Sequence, residues 1–215
     1  SAGDVNGDGF ADLIIGARGA DPNGSYSGAS YVVFGKAGGF AANIELSSLD
    51  GSTGFKLSGA AAFDLSGFSV ASAGDVNGDG FDDMFVGSVA IGASYVVFGK
   101  ATGFAANLDL SSLDGSDGFR LVGVSPTQPS GNPVSSAGDI NGDGFDDFIV
   151  GSTFPIDPFL NTYGAAAHVV YGKATGFAAN LDLSSLDGSD GFQLANTYQR
   201  LSIATAGDVN GDGFD

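Results

Sequence analysis

Residues 73–83 read AGDVNGDGFDD, and nearly the same string stands at 2–12 (AGDVNGDGFAD), at 137–147 (AGDINGDGFDD) and at 206–215 (AGDVNGDGFD). The leading aspartates Asp4, Asp75, Asp139 and Asp208 lie 71, 64 and 69 residues apart. A fixed period of that size marks a repeat architecture, in which one supersecondary unit is stacked several times over. Other landmarks keep the same step. YVVFGK occurs at 31–36 and 95–100, and HVVYGK at 168–173. KATGFAANLDLSSLDGSDGF is identical at 100–119 and 173–192, with a near copy at 36–55. Three units are present, with the opening of a fourth.

Each unit reads as four short strands. In the second, FSVASA (68–73) runs into the acidic loop; DMFVGS (83–88), ASYVVFG (93–99) and, after a long connection, GFRLVG (118–123) follow. Runs of Val, Ile, Phe and Tyr bounded by Gly, Asp and Asn are strand-and-turn chemistry. No stretch carries helical periodicity. Four antiparallel strands per repeat make the blade of a β-propeller, so the predicted fold is all-β. Residues 1–65 form a first blade that lacks its inner strand, 66–130 a second, 131–197 a third and 198–215 the start of a fourth. Small residues on the first strands (Ser69, Ala71, Ser135, Ala204) suit strands crowded at a central axis.

Composition narrows the function. The 215 residues are 43% hydrophobic, enough for a sizeable core. Acidic residues number 25 against 7 basic ones, for a net charge of -18, and Glu45 is the single glutamate. Short-armed aspartate favours turns and ligand loops over a solvated surface. Such charge argues against nucleic acid and anionic membranes as partners and favours cations. There is no cysteine, which excludes disulfides and thiolate metal sites. No apolar run approaches the roughly 20 residues of a membrane helix, so no membrane insertion is expected. The chain opens inside a motif with no signal peptide, as a fragment of a mature protein would.

The pattern AGDVNGDGFDDMFVGS followed by GASYVVFGK resembles the FG-GAP repeat of the integrin alpha-subunit β-propeller and its bacterial relatives, over essentially the whole chain. The "GAP" element stands here as Gly16-Ala17-Arg18, Gly87-Ser88-Val89 and Gly151-Ser152-Thr153. The resemblance implies about seven blades, within the usual range for propellers, where this chain holds three. Either the rest of a longer chain or a homo-oligomer is then expected to close the ring.

The acidic loop has the form D-x-N-x-D-G-x-x-D. Calcium takes about six to eight oxygen ligands from carboxylates, amides and carbonyls. Positions 1, 3 and 5 turn side-chain oxygens inward, the glycine at 6 allows the sharp turn, 7 offers its carbonyl and 9 closes the shell. The expected Ca²⁺ ligands are Asp4, Asn6, Asp8, Phe10 (carbonyl) and Asp12 in the first loop, and Asp75, Asn77, Asp79, Phe81 and Asp83 in the second. The third loop supplies Asp139, Asn141, Asp143, Phe145 and Asp147; an incomplete fourth supplies Asp208, Asn210, Asp212 and Phe214. An EF-hand would need a glutamate where Ile15, Val86 and Val150 stand, and would continue into a helix. A bare Asn-Gly hairpin would not require three like charges within one short loop.

Other residues read as structure. His168 takes the place of Tyr31 and Tyr95 and is expected to pack. Phe34, Phe40, Phe98, Phe104 and Phe177 recur at matching positions and are expected in the core. Asp50, Asp114 and Asp187 read as turn residues, and Lys36, Lys100 and Lys173 as solvated strand ends. No catalytic constellation stands apart from the repeats, so no enzyme is predicted.

Strand order places the acidic loops and the uniform 36–55, 100–119 and 173–192 connections on one face. The opposite face carries sequences that differ between units, at 17–30, 88–94, 152–167 and the blade linkers. Varied loops on a uniform scaffold are free to contact partners. Tyr26, Phe154, Phe159, Tyr163 and Tyr198 are the candidate partner-binding residues. The predicted function is a calcium-binding module, secreted or on a bacterial surface, that mediates adhesion or binds protein or glycan without catalysis. A purely structural repeat module and an accessory domain of a secreted enzyme are the alternatives.

Overall fold

The computed structural model describes residues 1–88, 93–123, 130–157, 162–196 and 201–215. It is all-β, with three sheets and no α-helix among the described residues. The first sheet is an antiparallel run of β1 (Leu13–Ala17), β2 (Ala29–Val33) and β3 (Gly54–Ser58). The second runs through β4 (Ser69–Gly74), β5 (Asp83–Gly87), β6 (Ala93–Val97) and β8 (Gly118–Val122). The third repeats that meander with β9 (Ser130–Gly138), β10 (Asp147–Asp157), β11 (Thr162–Val170) and β13 (Gly191–Asn196). These are propeller blades, and the inner strand β4 lies against β9 of the next one.

The second long connection does more than return the chain. Within it, β7 (Asn107–Asp109) leaves its own blade and pairs in parallel with β3 of the preceding one, Leu108 opposite Leu57. In the same register β12 (Asn180–Asp182) pairs with β8, Leu181 opposite Leu121. The second sheet therefore has five strands where the sequence predicts four. An outer strand exposes unpaired N–H and C=O groups, and the next connection covers them. A 3₁₀ turn follows each borrowed strand, at Leu110–Ser112 and Leu183–Ser185. Asp109 and Asp182 cap these turns by accepting from the main-chain N–H of Ser111 and Ser184.

The cores lie between blades. Val32, Phe34, Phe55 and Leu57 of the first pack against Met84, Val86, Tyr95, Val97, Phe104 and Leu110 of the second. On the opposite side, Phe85, Val96, Phe98 and Phe119 pack against Phe148, Val150, Val170 and Phe177 of the third. Consecutive residues Met84, Phe85 and Val86 thus serve two cores, as the two-residue period of a strand buried on both sides demands. Phe104 stacks on Phe55 with centroids 4.2 Å apart, and Phe177 on Phe119 at 4.3 Å.

Two expectations change. Phe40, the counterpart of Phe104 and Phe177, is 47% exposed, because no described strand lies over it. The lysines after the FG dipeptide are more than solvated ends. Lys36, Lys100 and Lys173 sit over the rings of Phe40, Phe104 and Phe177 at 5.3, 5.3 and 5.0 Å, and Lys100 pairs with Asp117 at 2.7 Å. Leu201–Ala206, within the expected start of a fourth blade, pairs with no strand among the described residues.

Candidate metal centres

The first aspartate organises each acidic loop. Asp4 Oδ1 accepts the N–H groups of Gly7 and Asp8 at 2.8 and 3.1 Å, and its Oδ2 accepts that of Gly9 at 2.8 Å. The same three bonds recur at Asp75, Asp139 and Asp208. Gly7 and Gly9 have φ of 72° and 87°, a left-handed turn that costs glycine little. Within the turn, Asn6 Oδ1 accepts the Asp8 N–H at 2.9 Å and Asp8 Oδ1 that of Phe10 at 2.9 Å. Asn6 Nδ2 donates to Asp8 Oδ2 at 3.0 Å. Positions 1, 3 and 5 are therefore brought together on one short turn, in all four copies.

The closing aspartates are buried and tie two distant segments together. Asp12 Oδ2 accepts the Val5 N–H at 3.0 Å, while its Oδ1 accepts that of Gly35 at 2.7 Å. Asp83 does the same with Val76 and Gly99, and Asp147 with Ile140 and Gly172. Gly35, Gly99 and Gly172 each follow the aromatic that ends YVVF or HVVY. Acidic loop and FG dipeptide thus recur together because they are hydrogen-bonded to each other. A Cβ on Gly35 would press into the Ala11 carbonyl, which accounts for the glycine.

Among the described residues, no basic side chain forms an ion pair with these loops. Burial pushes the closing carboxylates up, against the lowering effect of their two amide donors, and the other loop aspartates raise them further. Asp83 reaches about 8 and Asp147 about 6, while Asp12 is raised. Asp208, exposed and bonded chiefly by the Gly213 amide, lies below the usual carboxylate range. As they stand, no three acidic side chains converge on one point among the described residues. The donor set is nonetheless all oxygen, carboxylate and amide, which is what a hard divalent cation takes.

Sequence reading missed one row of residues. Asp82, Asp146 and Asp215, one place before or at the closing stretch, reach back to the preceding loop. The available signal was Ala11, which replaces this aspartate in the first copy alone. Asp64, fully buried in the linker before β4, was also overlooked. It accepts from Ser66 Oγ, Ser88 Oγ and the Tyr95 hydroxyl at 2.7, 2.8 and 3.2 Å. Burial, with the Asp64 charge adding to it, raises the Tyr95 hydroxyl.

On the face with varied loops, Tyr26 is 54% exposed and stacks on Phe63, itself 60% exposed, at 6.3 Å and 21°. Both have positive φ, 53° and 64°. Loops 17–30 and 59–67 hold them there, Phe63 N–H donating to the Ser25 carbonyl and Leu65 N–H to that of Tyr26. Phe159 and Tyr198 lie outside the described residues, as do the side chains of Phe154 and Tyr163. His168 is fully buried, and burial lowers its pKa. Asp50 accepts from the Ser52 N–H at 2.9 Å, the turn role expected of it.

Three blades with cores between them and an acidic turn at the head of each define a repeat β-propeller protein. Residues 1–33 and 132–171 match the FG-GAP repeat family. Over 157 residues, 70% of the chain, it is 29% identical to integrin alpha-PS5 of Drosophila melanogaster. The match spans 14% of that relative's length. The chain is thus similar to the FG-GAP repeat family over those two stretches and to an integrin alpha subunit.

Proposed function

We propose that this chain is a calcium-binding portion of an extracellular propeller whose varied face binds a protein or glycan. The observation that carries the calcium reading is the fourfold recurrence of one turn shared by Asp4, Asn6 and Asp8, or their counterparts, which in the first three copies stands beside a buried closing carboxylate. Bound there, Ca²⁺ would supply the positive charge that these carboxylates lack. Asp4 fixes the turn, Asn6 and Asp8 offer side-chain oxygens, Phe10 its carbonyl, and Asp12 holds the two ends of the loop together. Cytosolic free calcium is too low to fill such sites at the roughly 10⁻⁴–10⁻³ M affinity of extracellular modules, so the module works at the cell surface or outside the cell. Similarity to an integrin alpha subunit favours the same setting.

The stacked, exposed pair Tyr26 and Phe63 favours recognition over a purely structural role, since aromatic rings held rigidly lose little entropy on binding. Exposed Phe40 matches the buried Phe104 and Phe177, and exposed Ile44 the half-buried Leu108 and Leu181, so a further blade, from a longer chain or a second copy, is the partner expected to cover them. Calorimetric titration tests the calcium reading. Three complete loops should take up calcium, and Asp79→Ala should remove the second site alone. A heat signal absent from the wild-type chain at millimolar calcium would refute it.

A further inference from the structure

The aspartates one place before the closing ones make contacts that the calcium reading leaves unused. Asp4 N–H donates to Asp82 Oδ2 at 2.7 Å, and Asp82 N–H donates back to the Asp4 carbonyl at 3.2 Å. Asp75 and Asp146 repeat both bonds, at 2.8 and 3.1 Å. In the third pair, Asp215 N–H reaches the Asp139 carbonyl at 3.5 Å, and the Asp215 carboxylate fills the space a Cβ on Gly138 would need.

Each clasp joins the first residue of one acidic loop to the eighth of the next. Packing reinforces it. The Phe81 ring covers Gly7 and the Phe145 ring covers Gly78, so that a Cβ at either glycine would strike the ring. Lys100 N–H donates to the Val5 carbonyl at 2.9 Å, and Lys173 N–H to that of Val76 at 2.8 Å. Val5 and Val76 are themselves fully buried between blades. Ala11, at the eighth place of the first loop, has no carboxylate to reach with.

We infer that Asp82, Asp146 and Asp215 couple cation binding between neighbouring loops; this rests on the calcium reading. Asp82 lies directly between Phe81 and Asp83, two residues that would hold a cation in the second loop. It also fixes the main chain of Asp4, whose carboxylate organises the first. A cation in the second loop orders residues 79–83 and with them the acceptor that holds Asp4. The first loop then binds with less ordering left to do, which is positive coupling in conformational entropy. Because one charge-assisted hydrogen bond carries each link, filling one loop raises the affinity of its neighbour roughly fivefold.

Two variants and two readouts test this. Asp82→Ala removes the acceptor, and Ala11 shows that the loop accommodates alanine there. Asp82→Asn keeps an oxygen acceptor while removing the charge. In metal-free protein, amide hydrogen exchange at Asp4 should speed up in Asp82→Ala and stay near wild type in Asp82→Asn, with Asp75 unchanged in both. In calcium titrations the wild type should bind with a Hill coefficient above unity. Asp82→Ala should keep its sites but lose the coupling between the first two, and Asp82→Asn should restore it. Equal steepness in wild type and Asp82→Ala, with calcium bound to both, overturns the coupling. Unchanged exchange at Asp4 in Asp82→Ala overturns the clasp itself. Faster exchange in a protein that takes up no calcium refutes the proposed function and the coupling together, and the exchange data then separate that failure from a missing clasp.

Discussion

A buried carboxylate among like charges has a stability consequence of definite sign. The Asp83 carboxyl is pushed up to about 8 by burial, with Asp79 and Asp75 adding to it. Unfolded, the same group titrates near its ordinary 3.8. Between those values the unfolded chain has released a proton that the folded chain still holds, so stability falls as pH rises. The loss is complete only above the folded value. Asp12 and Asp147, also raised, act in the same direction. Asp50, Asp114 and Asp187 are lowered by hydrogen bonds from Ser52, Ser116 and Ser189; their contribution is already full by about pH 5. In chelator, the urea midpoint should therefore drop between pH 5 and pH 8, and millimolar calcium should reverse the drop. A midpoint that rises over that interval would contradict the charge balance described here.

At the scale of the element, the long connection separates what a local pattern can tell from what it cannot. Phe40 and Phe104 stand in nearly identical stretches, yet the first is 47% exposed and the second 9%. Phe104→Ala should cost about 3–5 kcal/mol, the usual range for a buried phenylalanine. Phe40→Ala should change stability by less than about 0.5 kcal/mol, as surface positions do. Denaturant unfolding of the two variants measures the difference. The acidic turns, the meander strands and the alternation of DMFVG were legible because their cause is local: turn chemistry and a period of two. The borrowed strands were not. Asn107–Asp109 is three residues long, sits in a polar connection, and owes its conformation to β3 more than 40 residues earlier. Asp82 escaped notice for a similar reason, since its partner Asp4 is 78 residues away. The FG glycine was visible as a recurrence, but its role needed Asp83 beside it.

At the scale of the whole molecule, both cores among the described residues lie between blades and not within one. Val5 of the first acidic loop packs with Met84 and Tyr95 of the second blade, and Val76 of the second with Phe148 and Val170 of the third. Folding and cation uptake are therefore properties of neighbouring pairs of blades, as in other repeat arrays where each unit contacts only the next. The borrowed strands carry this further, into mechanics. Because β7 lies parallel to β3 and β12 parallel to β8, a pull along the polypeptide loads those hydrogen bonds in shear, all at once, instead of peeling them singly. A blade under tension cannot unravel without tearing a strand out of its predecessor. Stretched between its ends in an optical trap, the chain should lengthen in one or two large steps instead of three equal ones.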